Sequence, residues 1–409
     1  MKPTTFSTLW RNNVCVPRHT RQTQPPVIRY SSRETNPPTE PTSLQTTLHA
    51  ELTSRPLNKT FSRISNTPWN LLNKTLADFL PPSCHAHESP ASRHFGPNQD
   101  AIASDPDTSL PQGHHLVYFP PPVLDSDLLP DGTDSLHSPG PPFVKRLWAG
   151  GSLIFNNKVK YQMRRQSNAV CGEDIIDVSV KGNEGQEKVF VTVRKRMASL
   201  SRLSLKRGKM ISRKLKSDIF LNMERPELEM RHGLDHIGPW AIIESRNLVF
   251  LREKSKEEAR EDLLKVMRVV KPVHTPDFSV SLTPNANLLF RFSALTFNAH
   301  RIHLDPQYTR EVEGHRNLLV HGPLTLVLML SVLRSQIPKG KMIVRFDYKN
   351  LAPLYVDEEM KICVRRDPQR KEKFDVWVEG KEGGYAVKGT AEIGDIVQYT
   401  KEPKGAEES

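Results

Sequence analysis

The run Gly322-Pro323-Leu324-Thr325-Leu326-Val327-Leu328-Met329-Leu330-Ser331-Val332-Leu333 decides how this chain folds. Gly322-Pro323 opens a helix, because a proline in the first turn gives up only an N–H that has no partner within the helix. From Pro323 to Leu333 that helix is apolar on almost every side, so it must be wrapped by other structure rather than laid on a surface. The surrounding apolar run, Leu318 to Val332, is broken by His321, Gly322 and Pro323 and falls short of the roughly 20 residues that cross a bilayer, so no membrane span is expected. Downstream, Met342 to Tyr348, Glu359 to Arg365, Phe374 to Glu379 and Ala386 to Ile393 read as four strands. Upstream, Asn287 to Phe292 reads as a fifth.

The first half of the chain carries a similar series of strands: Trp148 to Phe155, Gln166 to Val180 with the alternating tail Ile176-Val178-Val180, Val189 to Val193, and Ala241 to Leu251. Gly182-Asn183-Glu184-Gly185 is a hairpin turn between two of them. Curled antiparallel strands around one buried helix make a hot-dog unit. The expected fold is therefore α+β, a double hot dog with an N-terminal unit over 113–255 and a C-terminal unit over 275–400. The first unit lacks an equally clear central helix and reads as degenerate.

Thirty-three prolines in 409 residues and only 37% apolar residues predict that part of the chain is poorly ordered. Residues 1–30 hold Lys2, Arg11, Arg18, Arg21 and Arg29 with no acid, the composition of a mitochondrial presequence, and Arg29-Tyr30-Ser31-Ser32 resembles a processing site. A mitochondrial, matrix location follows as an expectation. Residues 31–112 read as a low-complexity linker with one helical island, Pro68 to Leu80. Cys84-His85-Ala86-His87, with His94 nearby, has no rigid flank to hold four ligands, so no metal is expected there. The four cysteines are far apart and support no disulfide framework. A net charge of +12 favours acidic partners. Arg194 to Lys216 has ten basic residues before the first acid and runs into a proposed insertion over 198–239. No aromatic residue interleaves them to stack bases, so a solvated insertion is favoured over a nucleic-acid patch.

Chemistry concentrates in Phe297-Asn298-Ala299-His300-Arg301-Ile302-His303-Leu304-Asp305 and the following His321-Gly322. Asp305 can cap a short helix starting at Pro306, which fixes the loop that carries His303. His303 is the acid/base expected near neutral pH. Asn298 can orient water or a hydroxyl. Gly322, at the positive end of the buried helix, can hold a developing oxyanion through its N–H. His321 and Asp305 complete the expected substrate-binding set. Together these suit loss of water from a 3-hydroxyacyl thioester or its addition to an enoyl thioester.

These residues resemble a known family. Phe292 to Pro323, with Pro142 to Gly151 and Val189 to Arg194, is similar to the mitochondrial hydroxyacyl-thioester dehydratases of type 2 and to the mesaconyl- and itaconyl-CoA hydratases of the MaoC-like superfamily. The resemblance covers roughly Leu110 to Arg196 and Ala241 to Val397. In that superfamily an Asp stands five residues before the catalytic His, with an Asn between them. Here Asn298 holds the Asp position and His300 the Asn position, so either His303 carries more of the proton chemistry or His300 shares it. The resemblance implies a (3R)-hydroxyacyl-thioester dehydratase of mitochondrial type II fatty acid synthesis, its substrate carried by acyl carrier protein or as a CoA thioester. It implies no cofactor and leaves an oligomer open. The alternatives are a mesaconyl/itaconyl-CoA-type hydratase and a non-catalytic acyl-thioester-binding protein.

Overall fold

The computed structural model describes residues 43–85, 109–158, 162–200, 240–264 and 269–397. The presequence over 1–30, His87, His94 and most of the insertion over 198–239 lie outside the described residues. The first unit contributes helix α1 (Ser43–Thr53), strand β1 (Asn58–Arg63), helix α2 (Asn66–Leu76) and strands β2 (Lys145–Phe155), β3 (Asn168–Lys181), β4 (Lys188–Ser199) and β5 (Ile242–Leu251). After helix α3 (Lys256–Leu264), the second contributes strand β6 (Phe278–Leu282), helices α4 (Ala286–Thr296), α5 (Pro306–Glu311) and α6 (Gly322–Arg334), and strands β7 (Lys341–Asn350), β8 (Met360–Arg366), β9 (Lys373–Glu379) and β10 (Tyr385–Asp395).

All ten strands form one open antiparallel sheet in the order β1-β3-β4-β5-β2-β7-β10-β9-β8-β6. Each half of that order is the other half repeated, β1 answering to β6 and β2 to β7, and the halves join where β2 pairs with β7. Strand β2 has backbone on both sides, β5 at Ser245 and β7 at Tyr348. At Gly150, with φ +140, and Gly151 a Cβ would strike those carbonyls, so the junction requires glycine.

Helix α6 is buried from Leu324 to Leu333, as its sequence requires. Its side chains share one core with residues of both units, Leu72, Leu116, Leu153, Phe346 and Ile362 among them. The equivalent place in the first unit holds no α-helix among the described residues. Instead, α2 (11 residues) answers to α4 (11 residues), and the short turn Pro82–Cys84 answers to Arg301–His303. A cavity of only about 10 Å³ lies beside Cys84, His85 and Arg334.

Three expectations change. Asn287 to Phe292 is helix, not strand: the Asn285 side chain accepts a hydrogen bond from the Leu288 N–H (2.9 Å) and caps α4, while Leu288, Leu289, Phe292 and Ser293 make one buried helical face. Part of the stretch read as linker supplies α1 and β1, which pairs along β3, while α2 falls on the expected helical island. The basic run begins inside the sheet, since β4 extends to Ser199. There Arg194 and Arg196 pair with Asp174, and Lys195 pairs with Glu173.

Candidate active site

Helix α4 ends at Phe297, in left-handed backbone (φ +51), where the Asn298 N–H donates to the Ser293 carbonyl at 2.9 Å. The reversal brings Asn298 to the start of a tight turn in which its Oδ1 accepts the His300 N–H (3.1 Å). Asp305 closes the other end of the loop. Its Oδ1 accepts the Tyr308 N–H at 2.9 Å and caps α5, and its Oδ2 accepts from Arg301 at 2.7 Å. Between these fixed ends the turn Arg301–His303 is tied down by the Leu319 N–H, which donates to the Ile302 carbonyl at 3.0 Å.

That frame gathers three histidines. His303 Nδ1 lies 2.8 Å from the Leu319 carbonyl oxygen. A carbonyl only accepts, so Nδ1 carries the proton and Nε2 keeps its lone pair, on a ring that lines the cavity. His321 stacks on His303, with ring centroids 3.7 Å apart, and its Nε2 is 2.8 Å from Ser293 Oγ. His300 stands edge-on to His303 at 5.4 Å, and its Nε2 is 3.5 Å from Asp131 Oδ2. Burial lowers the affinity of all three for a second proton. It pushes His303 down to about 4, with Arg146 adding to the effect and the Leu319 carbonyl opposing it. His300 and His321 are held well below the usual histidine range by burial first and by the neighbouring histidines next. At neutral pH the cluster is uncharged, and His303 Nε2 is a base.

The cavity beside it measures about 540 Å³ and is lined by His300, His303, Asn298, Gly322 and Pro323 from the second unit. The Asn298 Oδ1 is used by the turn, which leaves its Nδ2 for a ligand. Gly322 is the first residue of α6, so its N–H has no acceptor within the helix. A Cβ there would meet Trp148 at 3.2 Å and Asn350 at 3.3 Å, so the helix end and β2 approach closely. Much of the remaining lining comes from the first unit, where apolar side chains such as Tyr118, Trp148 and Leu248 stand among several ion pairs. Arg146 donates to Asp134 (3.0 Å), His137 Nε2 is 2.7 Å from Glu173, Lys195 pairs with Glu173, and Arg246 grips the buried Glu244 at 2.5 and 3.0 Å.

Of the six residues singled out from the sequence, His303, His300, Asn298 and Gly322 meet at this cavity. The other two do not line it. His321 is fully buried behind His303, and Asp305 spends both carboxylate oxygens on the α5 cap and Arg301, so both brace the loop. Sequence reasoning does not find Asp131 or Arg146. Asp131-Gly132 reads only as a turn, and nothing local shows that it packs against a loop about 170 residues downstream in the sequence.

The family model for hydroxyacyl-thioester dehydratase type 2 matches residues 113–227 and 208–356. The chain belongs to this family. Its curated relatives include the mitochondrial hydroxyacyl-thioester dehydratase type 2 of Schizosaccharomyces pombe, 27% identical over 77% of this chain and 90% of the relative. They also include the mesaconyl-C(4)-CoA hydratase of Chloroflexus aurantiacus, 27% identical over 76% of this chain and 92% of the relative. Among solved structures, a MaoC-like dehydratase from Phytophthora capsici superposes with a TM-score of 0.52 at 12% identity, over 85% of this chain and 98% of that one. This likeness extends the family's agreement to the fold.

Proposed function

We propose that this chain is a hydro-lyase that converts (3R)-3-hydroxyacyl thioesters to trans-2-enoyl thioesters in mitochondrial type II fatty acid synthesis. The observation that carries the reading is His303, whose Nδ1 is committed to the Leu319 carbonyl while Nε2 remains a free base in a cavity that also holds the start of α6. In the dehydration direction Nε2 takes the C2 proton. The thioester oxygen gains negative charge and is held by the Gly322 N–H and the positive end of α6. The C3–O bond then breaks, and the hydroxyl leaves as water with a proton returned from the histidine cluster. No step calls for a cofactor. The test is purified protein with crotonyl-CoA and with 3-hydroxyacyl thioesters of either hand, followed by enoyl absorbance. Hydration of crotonyl-CoA and turnover of one hand alone are expected. No turnover of any thioester would instead favour a protein that binds acyl thioesters without catalysis.

The mesaconyl-type relative and the charged residues that line part of the cavity favour a second reading, hydration of an enoyl-CoA with a polar acyl group. Salt separates the two. Docking of an acidic carrier to a chain of net charge +12 is screened over about 8–10 Å at 0.1–0.15 M salt. Activity on a carrier-linked substrate is therefore expected to fall with salt much more steeply than activity on the CoA thioester, and equal sensitivity would favour the CoA hydratase.

A matrix location is supported by the basic, acid-free start of the chain and by the word mitochondrial in the S. pombe relative's name. Residues 1–40 fused to a fluorescent reporter are expected to carry it into mitochondria, and a reporter left in the cytosol would refute the presequence.

A further inference from the structure

Asp131 is a buried carboxylate that the chemistry above does not use. Its Oδ1 is occupied, accepting the Thr133 N–H at 2.9 Å and the Thr133 hydroxyl at 2.7 Å. Its Oδ2 is buried, accepts no hydrogen bond, and faces His300 Nε2 at 3.5 Å. The backbone fixes this approach twice. The Arg301 N–H donates to the Asp131 carbonyl at 2.8 Å, and Gly132, with φ +82, lies so close to the Ala299 carbonyl that no Cβ fits between them. A buried carboxylate oxygen without a hydrogen-bond donor is costly, and the group it faces lines the catalytic cavity.

Resting on the dehydratase reading, we propose that Asp131 is the positioning residue of the active site: its carboxylate holds the proton of His300 on Nε2 and compensates the positive charge that the histidine cluster takes up during turnover. The reason is the cluster's composition. When His303 Nε2 accepts the C2 proton, an imidazolium forms against His321 and His300, with Arg146 and His315 also contributing positive potential there. Among the described residues Asp131 is the carboxylate paired with a histidine of this cluster. It thereby orients the His300 ring, leaves His300 Nδ1 as an acceptor, and keeps the protonated cluster from being opposed by cations alone.

Asp131→Asn is expected to lower kcat by about 10–10²-fold, the scale of a misplaced catalytic group, with KM nearly unchanged. The limb of the pH profile that reports the histidines should move to lower pH, since the lost carboxylate favoured their charged form. In a His300→Ala background the same substitution should cost almost nothing further, because Asp131 acts through His300. Thr133→Val removes a hydroxyl from Oδ1 and leaves Oδ2 in place, so it should keep kcat and the pH profile. Losses that multiply in the double variant, or a Thr133→Val enzyme as impaired as Asp131→Asn, would reduce Asp131 to a loop brace and overturn the proposal. A measurement on the unaltered protein covers the case in which a variant does not fold: nitrogen-15 NMR of His300 at neutral pH should show the Nε2–H tautomer, and an Nδ1–H tautomer would overturn the proposal. The tautomer is read without substrate, so failure to turn over any thioester would refute the dehydratase reading separately.

Discussion

His303→Ala is expected to lower kcat by about 10²–10⁴-fold, the usual contribution of a general acid/base, with a much smaller change in KM. His303 is the ring in the cluster whose protonation is fixed by geometry, with Nδ1 held by Leu319 and Nε2 directed to accept. Removing it also leaves the Leu319 carbonyl without that donor and His321 without its stacking partner, at a cost of about 1–3 kcal/mol in stability. The alanine enzyme alone would thus confuse lost chemistry with lost structure. His303→Gln separates the two. A glutamine amide can still donate to Leu319 but cannot take a proton near neutral pH, so it should restore most of the melting temperature and none of the activity. Full activity on enoyl thioesters in either variant would remove His303 from the mechanism, and His300 would become the base to examine.

Acid is expected to unfold this protein earlier than its carboxylates alone would require. His114, His115, His300, His303, His315 and His321 all bind a proton less readily in the folded chain than free histidine does, chiefly because they are buried. A group whose folded pKa is depressed contributes stability that is fully present above its unfolded value, near 6.5, and is lost as pH falls toward the folded value. For His115, His303 and His315 that value is about 4. Linkage then gives a loss on the order of 2 kcal/mol for each of these three at pH 5, together a large part of the roughly 5–15 kcal/mol that stabilises an ordinary domain. Glu173 and Glu244, held below the usual carboxylate range after their burial is outweighed by Lys195 and Arg246, add their own loss only below about pH 4.5. Urea denaturation at several pH values between 7.5 and 5 is expected to show stability falling steadily below 6.5. A flat profile over that range would mean that these histidines are solvated in solution.

The elements that sequence reveals here are those with a strong one-dimensional pattern. Helix α6 is visible because its apolar run is too long and too uniform for anything but a wrapped helix, and β3 because Ile176, Val178 and Val180 alternate, although a bulge at Ile176 leaves that side chain exposed and puts Ile175 into the core beside Val178. Helix α4 misleads because Leu288, Leu289, Phe290 and Phe292 form a short apolar run that suits a strand as well as a helix, and the Asn285 cap that decides it is a single residue. Strand β1 hides in polar sequence, Asn58-Lys59-Thr60-Phe61-Ser62-Arg63, and becomes a strand by pairing with β3. At the site, the loop from Asn298 to Asp305 is legible because its residues are neighbours in the chain. The partners that complete it are not: Asp131 for His300, Leu319 for His303 and Ser293 for His321 are joined only by folding. For the same reason Arg194, Lys195 and Arg196 look like a solvated charge run until β3 brings Glu173 and Asp174 alongside.

The matching halves of the sheet have a consequence for the number of sites. Where the second half places His303, the first places Cys84, buried beside a space too small for any thioester. Two identical half-length subunits could not arrive at this arrangement, because a substitution that erased one site would erase its twin as well. Joining the halves in a single polypeptide breaks that symmetry. One half is free to give up its histidine and to lend its side chains to the wall of the other half's cavity, so a titration of functional sites should count one per chain rather than one per five-stranded unit.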